Sequence, residues 1–462
     1  MKYRNLVIDN PNDLIYGRAP YPVTTKNYGL EIGGGLIYPE LNFTLPPMKL
    51  EEANLKEMYD HYRQIVTQSL KRAAELEAPG VVLECEPLPP QTEFPEWAET
   101  ICKILLDGMA DANSKYGLKS ALRFTPNDNR EMHRPPKMRE GYYWERMVDC
   151  FERIGKLGAD MVSIESTGGK EVHDEALIKC DIEQVIFALA VMAPRDMKFL
   201  WDKLVDVCGR HGIIPAGDSA CGFGNTAMVL AEQRLIPNAF STVVRVLTAI
   251  RALVALECGA KGPSKDCAYE NPFLKAITGT PISCEGKTSA CAHLSPVGNI
   301  AAAYADLWSN ESVQNIMLLG STAPVAYMET LTYDCRLFNT AAAEGQALTM
   351  RDWLVKSDAP LDNRAYIFTP ENVIALSKVI VSGDSYYDAA RRAAAATARL
   401  ILEGGREGRT KVGKMEYKYL ENIIKTVEAM PESEETFIGR MMDRLDTKKF
   451  DPRSYDLEEK AA

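Results

Sequence analysis

The chain has 462 residues, 46% of them hydrophobic and 25% charged, with a formal net charge of −11. Such a composition belongs to a globular protein, and its acidity excludes a nucleic-acid surface as the main business of the chain. The longest apolar stretches are 185–193, too short to span a bilayer, and 240–258, interrupted by Arg245, Arg251 and Glu257, so no membrane span is expected. No basic, apolar, small-residue leader opens the chain, and eleven cysteines, an odd number, point to reduced thiols and metal ligands in a cytoplasmic protein rather than to a disulfide framework.

The first fifty residues are rich in Pro, Gly, Asn and Tyr. Gly33, Gly34 and Gly35 read as a turn between short extended segments, since no Gly-Lys-Ser/Thr follows to make a phosphate loop. Apolar spacing predicts a helix over 50–76, stopped by Pro79 and Gly80. Beyond that stop, short apolar runs alternate with helical segments, the sequence pattern of βα units on a parallel sheet.

Strands are expected at 81–85, 119–124, 160–164, 213–216, 280–284 and 315–319. Helices are expected at 94–116 and 141–157, then over a long region with a break at Pro194, and again at 226–234 and 239–256. The expected fold is α/β, a (β/α)8 TIM-type barrel over 79–345. An N-terminal extension, 1–78, and a C-terminal helical region, 346–462, complete the chain. In that last region an Ala-rich helix at 385–403 is expected to pack on the barrel or on another subunit. A second helix follows at 414–430, and the charged end from Asp446 is expected to fray.

Chemistry is concentrated in one stretch. Between Cys258 and His293 lie four of the eleven cysteines and one of the five histidines, among Gly, Pro, Ser and Lys. Glu165 and Cys221 sit at the expected C-terminal ends of strands, where a barrel gathers its pocket residues. Zinc accepts thiolate and carboxylate ligands and keeps one position open in catalytic sites, so Glu165, Cys221 and one cysteine of the later stretch meet its needs. The wide spacing fits ligands delivered by different loops, and the chain has no CxxC or HExxH. Among Cys258, Cys267, Cys284 and Cys291 spacing does not choose, and Cys291 with His293 is a further pair two residues apart. Cys85, Cys102, Cys150, Cys180 and Cys208 read as small buried hydrophobes.

The segments SIESTGG, GDSACGFGNTAM, AKGPSKDCAYENP, KAITGTPIS, EGKTSACAHLSPVGN and ADLWSNESVQ resemble the methanol:corrinoid methyltransferase family, the zinc subunit that methylates a partner corrinoid protein. The resemblance extends over nearly the whole chain. It implies a barrel with one Zn2+ held by a glutamate and two cysteines, which match Glu165, Cys221 and Cys267. It also implies methanol as methyl donor, the Co(I) corrinoid of a partner protein as acceptor, and a homodimer core within a hetero-oligomer. Two thiolates and a carboxylate leave such a zinc site with net negative charge, which weakens the Lewis acid. Asp218, Asn225, Asp266 and Tyr269, all near a proposed ligand, are therefore candidates for a proton donor or an orienting group. The loop TPNDNREMHRPPKMRE, with Arg130, His133, Arg134, Lys137 and Arg139, is either solvated or a docking surface for the corrinoid protein. Competing readings are a methyltransferase for another small donor, a zinc barrel hydrolase or aldolase, and a non-catalytic subunit with structural cysteines.

Overall fold

The computed structural model describes residues 1–43, 45, 48–265, 269–287, 296–312, 317–318 and 320–457. Seven parallel strands form its central sheet: β1 (Tyr38–Phe43), β2 (Val81–Cys85), β3 (Ser120–Phe124), β4 (Met161–Ile164), β5 (Ile214–Asp218), β6 (Ser283–Glu285) and β7 (Leu307–Ser312). Their order is β5-β4-β3-β2-β1-β7-β6, so β5 and β6 are the two edges. Residues 261–264 lie between those edges. The Lys261 and Gly262 amides donate to Pro215 and Ala216 of β5, both at 2.8 Å. On the other side Ser264 bridges Ile282 in parallel, and its carbonyl accepts from the Ser283 amide at 3.3 Å.

This irregular segment closes the sheet into a barrel at the eighth position. Pro263 has no N–H to give a ladder, and Gly262 has φ +76, where a Cβ would meet the Pro281 carbonyl at 2.5 Å. A regular strand is therefore impossible there.

Side chains of a strand alternate between two faces, and here the alternation builds layers inside the barrel. Tyr38, Val82, Ala121, Met161, Ala216 and Leu307 form an apolar layer with Leu30 and Ile32. Those last two belong to the antiparallel hairpin Arg18–Thr24 with Glu31–Gly34, which plugs the end of the barrel where the strands begin. Gly33 and Gly34 thus belong to a plug. Two residues further along the strands the lumen turns polar: Glu40, Glu84, Arg123, Ser163, Ser283 and Ser309 are all wholly buried.

Leu41, Phe43, Leu83, Cys85, Leu122, Phe124, Val162 and Ile164 point outward into the helix layer. Among its helices are Leu55–Glu75, Pro95–Tyr116, Tyr142–Leu157 and Ala193–His211. The break expected at Pro194 is instead a π turn, Ala188–Met192, leading straight into the next helix. The helix Asn238–Cys258 is long and apolar enough to cross a membrane, yet it runs through the interior. Packed against it is the Ala-rich helix Tyr386–Arg406, whose Ala389, Ala390, Ala393, Ala394 and Ala398 are buried within this one chain.

Three expectations need correction. The strand expected at 315–319 is represented by Met317–Leu318, half of a two-residue antiparallel pair with Ser321–Thr322, and the barrel strand is β7. The barrel also takes β1 from within 1–78. The chain end does not fray through its described part: Phe450 and Tyr455 are buried, and Asp456 makes a two-point ion pair with Arg139 at 2.7 and 2.8 Å.

Candidate active site at the C-terminal rim of the barrel

Glu165 follows β4 and continues the inward parity of Met161 and Ser163, which places it at the upper rim of the lumen. Beside it, Lys265 is wholly buried among three carboxylates. Its Nζ is 2.9 Å from Glu84 Oε1 and 3.8 Å from Glu165 Oε1, and it also bonds Glu86. Thr125 donates to Glu84 at 2.8 Å and Asn42 to Glu86 at 3.0 Å. One ammonium thus holds together carboxylates that would otherwise repel one another in a poorly solvated space. Below it, Arg123 pairs with Glu40 at 2.8 Å and reaches the Pro263 carbonyl at 2.9 Å.

Cys221 opens the helix Cys221–Glu232, directly after β5. One turn on, Asn225 donates from Nδ2 to Cys221 Sγ at 3.2 Å, and its Oδ1 accepts from Arg245 Nη2 at 2.9 Å. Arg245 is 2% exposed and lies 4.7 Å from the centre of the Tyr269 ring. Burial pushes its guanidinium down to about 10, with Tyr269, Glu270 and Cys221 opposing the shift. The Tyr269 hydroxyl bonds Glu285 at 3.4 Å, and Glu270, raised to about 7 by burial, accepts from the Ala220 amide at 3.1 Å.

Asp218 lies elsewhere. The β4–β5 register shifts after Val162, so that Ser163 pairs with Gly217 and Ile164 with Asp218. Asp218 therefore shares the outward side of Ile164. There it accepts from Trp201 Nε1 at 2.8 Å, Arg251 Nη1 at 3.2 Å and the Ser166 amide at 3.3 Å. Burial raises its carboxyl against the pull of Arg251. Through Ser166 it braces the residue next to Glu165.

The remaining candidates divide as follows. Asp266, Cys267, Cys291 and His293 lie outside the described residues. Cys284 points into the helix layer between the inward Ser283 and Glu285. Cys258 ends a helix that returns to the plugged end of the barrel, where Lys261 meets Pro215, and burial pushes its thiol up to about 12. Cys85, Cys102, Cys150 and Cys208 are buried, and burial pushes each thiol up. In the basic loop, Arg130 is buried in a double ion pair with Asp128 and Asp196, leaving His133, Arg134 and Lys137 exposed.

Sequence reasoning missed Lys265 and Arg245. Lys265 stands in a Gly/Pro-rich stretch that reads as surface. Arg245 reads only as an interruption of an apolar helix, although a charge inside so apolar a run is itself a signal of a buried role.

A parallel barrel plugged at one end and carrying carboxylates, a buried lysine and a helix-opening cysteine at the other has the form of a barrel enzyme with its reaction centre at the C-terminal rim. The family model described as methanol-cobalamin methyltransferase B subunit matches residues 1–456, and the chain belongs to that family. The methanol–corrinoid protein co-methyltransferase of Methanosarcina barkeri (strain Fusaro / DSM 804) is 34% identical over 460 residues, covering 98% of this chain and 99% of that protein. The crystal structure of the methanol:cobalamin methyltransferase complex MtaBC from Methanosarcina barkeri superposes with a TM-score of 0.94 at 33% identity, over 98% of this chain and 99% of that one.

Proposed function

We propose that this chain moves the methyl group of methanol to the cobalt of a corrinoid carried by a partner protein, with one Zn2+ per chain held by Glu165, Cys221 and Cys267. The observation that carries the reading is the shared rim: Glu165 follows β4, Cys221 follows the neighbouring β5, and Lys265, two residues before Cys267 in the sequence, reaches Glu165. On the other side of Cys267, Tyr269 stacks on the arginine that holds the Cys221 partner. Among the described residues no group of three metal-binding side chains is assembled, which is expected when one of the three lies outside them. The donor chemistry fits: one carboxylate and one thiol from adjacent strand ends suit zinc and leave room for a substrate oxygen.

Zinc, when bound, supplies a Lewis acid for the alcohol oxygen, whose departure as hydroxide is otherwise unfavourable. The chain's own residues supply the rest. Lys265 sets a fixed positive charge against Glu84, Glu86 and Glu165, offsetting the anionic character of the ligand set. Asp218 and Arg251 hold the Ser166 end of the Glu165 loop, and the apolar plug closes the far end of the lumen to water. In the transfer itself the C–O bond breaks, the C–Co bond forms, and a proton joins the departing hydroxide as water. The same reading takes the protein to be cytoplasmic and a homodimer bearing corrinoid subunits.

Purified protein should carry about one zinc per chain by elemental analysis, lost or much weakened in Cys221→Ser and Glu165→Gln. With a cognate corrinoid protein it should methylate Co(I) only when methanol is supplied, followed by the change in corrinoid absorbance. Full activity of metal-free protein, or no methylation under these conditions, rejects the proposal.

A further inference from the structure

We infer that Arg245 is a positioning residue for the metal site: it fixes the direction of the Asn225 side-chain amide so that an N–H, and not a carbonyl, faces Cys221 Sγ. The inference rests on the reading of Cys221 as a metal ligand and extends it to a residue on a different helix.

An asparagine amide has a donor end and an acceptor end of nearly the same shape, and its neighbours decide which way it points. A guanidinium can only donate. Arg245 Nη2, 2.9 Å from Asn225, therefore requires Oδ1 on its side, which turns Nδ2 toward the sulfur 3.2 Å away. Asn225 lies one helical turn after Cys221, so the backbone brings the two side chains together. What Arg245 adds is the direction of the amide.

The environment of Arg245 argues that this function is why it is there. Among the described residues no carboxylate lies within ion-pair distance of it, and its Nε and Nη1 have no hydrogen-bond partner. The Tyr269 ring gives it a cation–π contact. A buried cation without an ion-pair partner costs stability, and an apolar side chain of similar volume is usually the more stabilising choice. An N–H bonded to a metal-bound sulfur draws electron density from it. The sulfur then donates less to the metal, which stays the stronger Lewis acid, a useful correction in a thiolate-rich site. Outer groups of this kind are worth about 10–100-fold in metal affinity or activity.

The test uses full-length protein loaded with Co(II) in place of zinc, reading the sulfur-to-cobalt charge-transfer band, with metal affinity measured by chelator competition. Asn225→Leu removes the N–H and should move the band to longer wavelength. Arg245→Met releases the amide and should move it in the same direction, and the double variant should move it no further than Asn225→Leu alone. Arg245→Lys remains a pure donor and should stay near the wild-type band, whereas a role in filling space alone would make Met the milder change. Should Arg245→Met not fold, Arg245→Gln, which accepts as well as donates, takes its place with the same expected shift.

An unmoved band in Asn225→Leu, additive shifts in the double variant, or a Lys variant shifted as far as the Met or Gln one each overturn the inference. Absence of any such band in the wild type overturns it too, by removing the Cys221 ligand reading, and is distinguished by appearing before any substitution.

Discussion

Glu171 stands apart from the proposed metal ligands, and with Glu270 it is one of two carboxyls that burial raises to about 7. Burial pushes the Glu171 carboxyl from 4.5 up to about 7, with Glu131 and Asp196 adding to the shift, and among the described residues its Oε2 has no hydrogen-bond partner. A carboxyl that holds its proton more tightly folded than unfolded makes the native state bind more protons across that interval, so stability falls as pH rises from 4.5 to 7. Each pH unit is worth ~1.4 kcal/mol, and partial exposure trims the total to about 2 kcal/mol. Glu171→Gln should therefore raise the urea midpoint at pH 8, with the gain shrinking to nothing near pH 4.5. An equal gain at both pH values rejects the assignment. At this scale the sequence was legible for position: it put Glu165 and Cys221 just past the ends of two strands, and they follow β4 and β5. It was not legible for Asp218, because one shifted register between β4 and β5 sends that carboxylate outward, and no local pattern announces such a shift.

At the scale of elements, the charged tail acts as a strap. The Tyr455 hydroxyl accepts from the Gly169 amide at 3.1 Å, and Asp456 pairs with Arg139. Gly169 ends the same loop that begins with Glu165, and the Asp128 carboxylate holds its middle through the Thr167 amide and hydroxyl at 2.9 and 3.1 Å. Tyr455→Phe leaves the buried Gly169 amide without its acceptor, a loss of about 1–3 kcal/mol. Faster hydrogen exchange at residues 166–170 and weaker zinc retention should follow, and unchanged exchange there would show that the tail does not brace the loop. Charge and length made this segment look unstructured, because its few apolar anchors, Phe450, Tyr455 and Leu457, are spaced without periodicity. The Ala-rich helix was legible as a helix. Its burial against Asn238–Cys258 was not, since small residues suit an internal contact and a subunit contact equally well.

For the molecule as a whole, the barrel closes at an irregular seam between β5 and β6, beside two of the proposed metal ligands, Glu165 and Cys221. Around β1, β2 and β3 the ladders are regular over four to six residue pairs, while among the described residues β5 and β6 are joined through the amides of Lys261, Gly262, Ser264 and Ser283. The regular part was readable from alternating runs and helices. The seam was not, because a strand position occupied by Gly-Pro carries a loop's composition. Glu165 and Cys221 stand on the β4–β5 side of the seam, and Cys267 comes three residues after Ser264 in the sequence. An ion held by all three would tie the segment to its neighbours, and binding confined to the native state adds its free energy to whatever opening must break it. Hydrogen exchange on metal-free protein should find Lys261, Gly262 and Ser264 less protected than Val82, Leu83 and Leu122. Zinc should slow the first group strongly and leave the second near its original rate, whereas uniform slowing across all strands would mean that the ion stabilises the fold globally and that the seam is not where it acts.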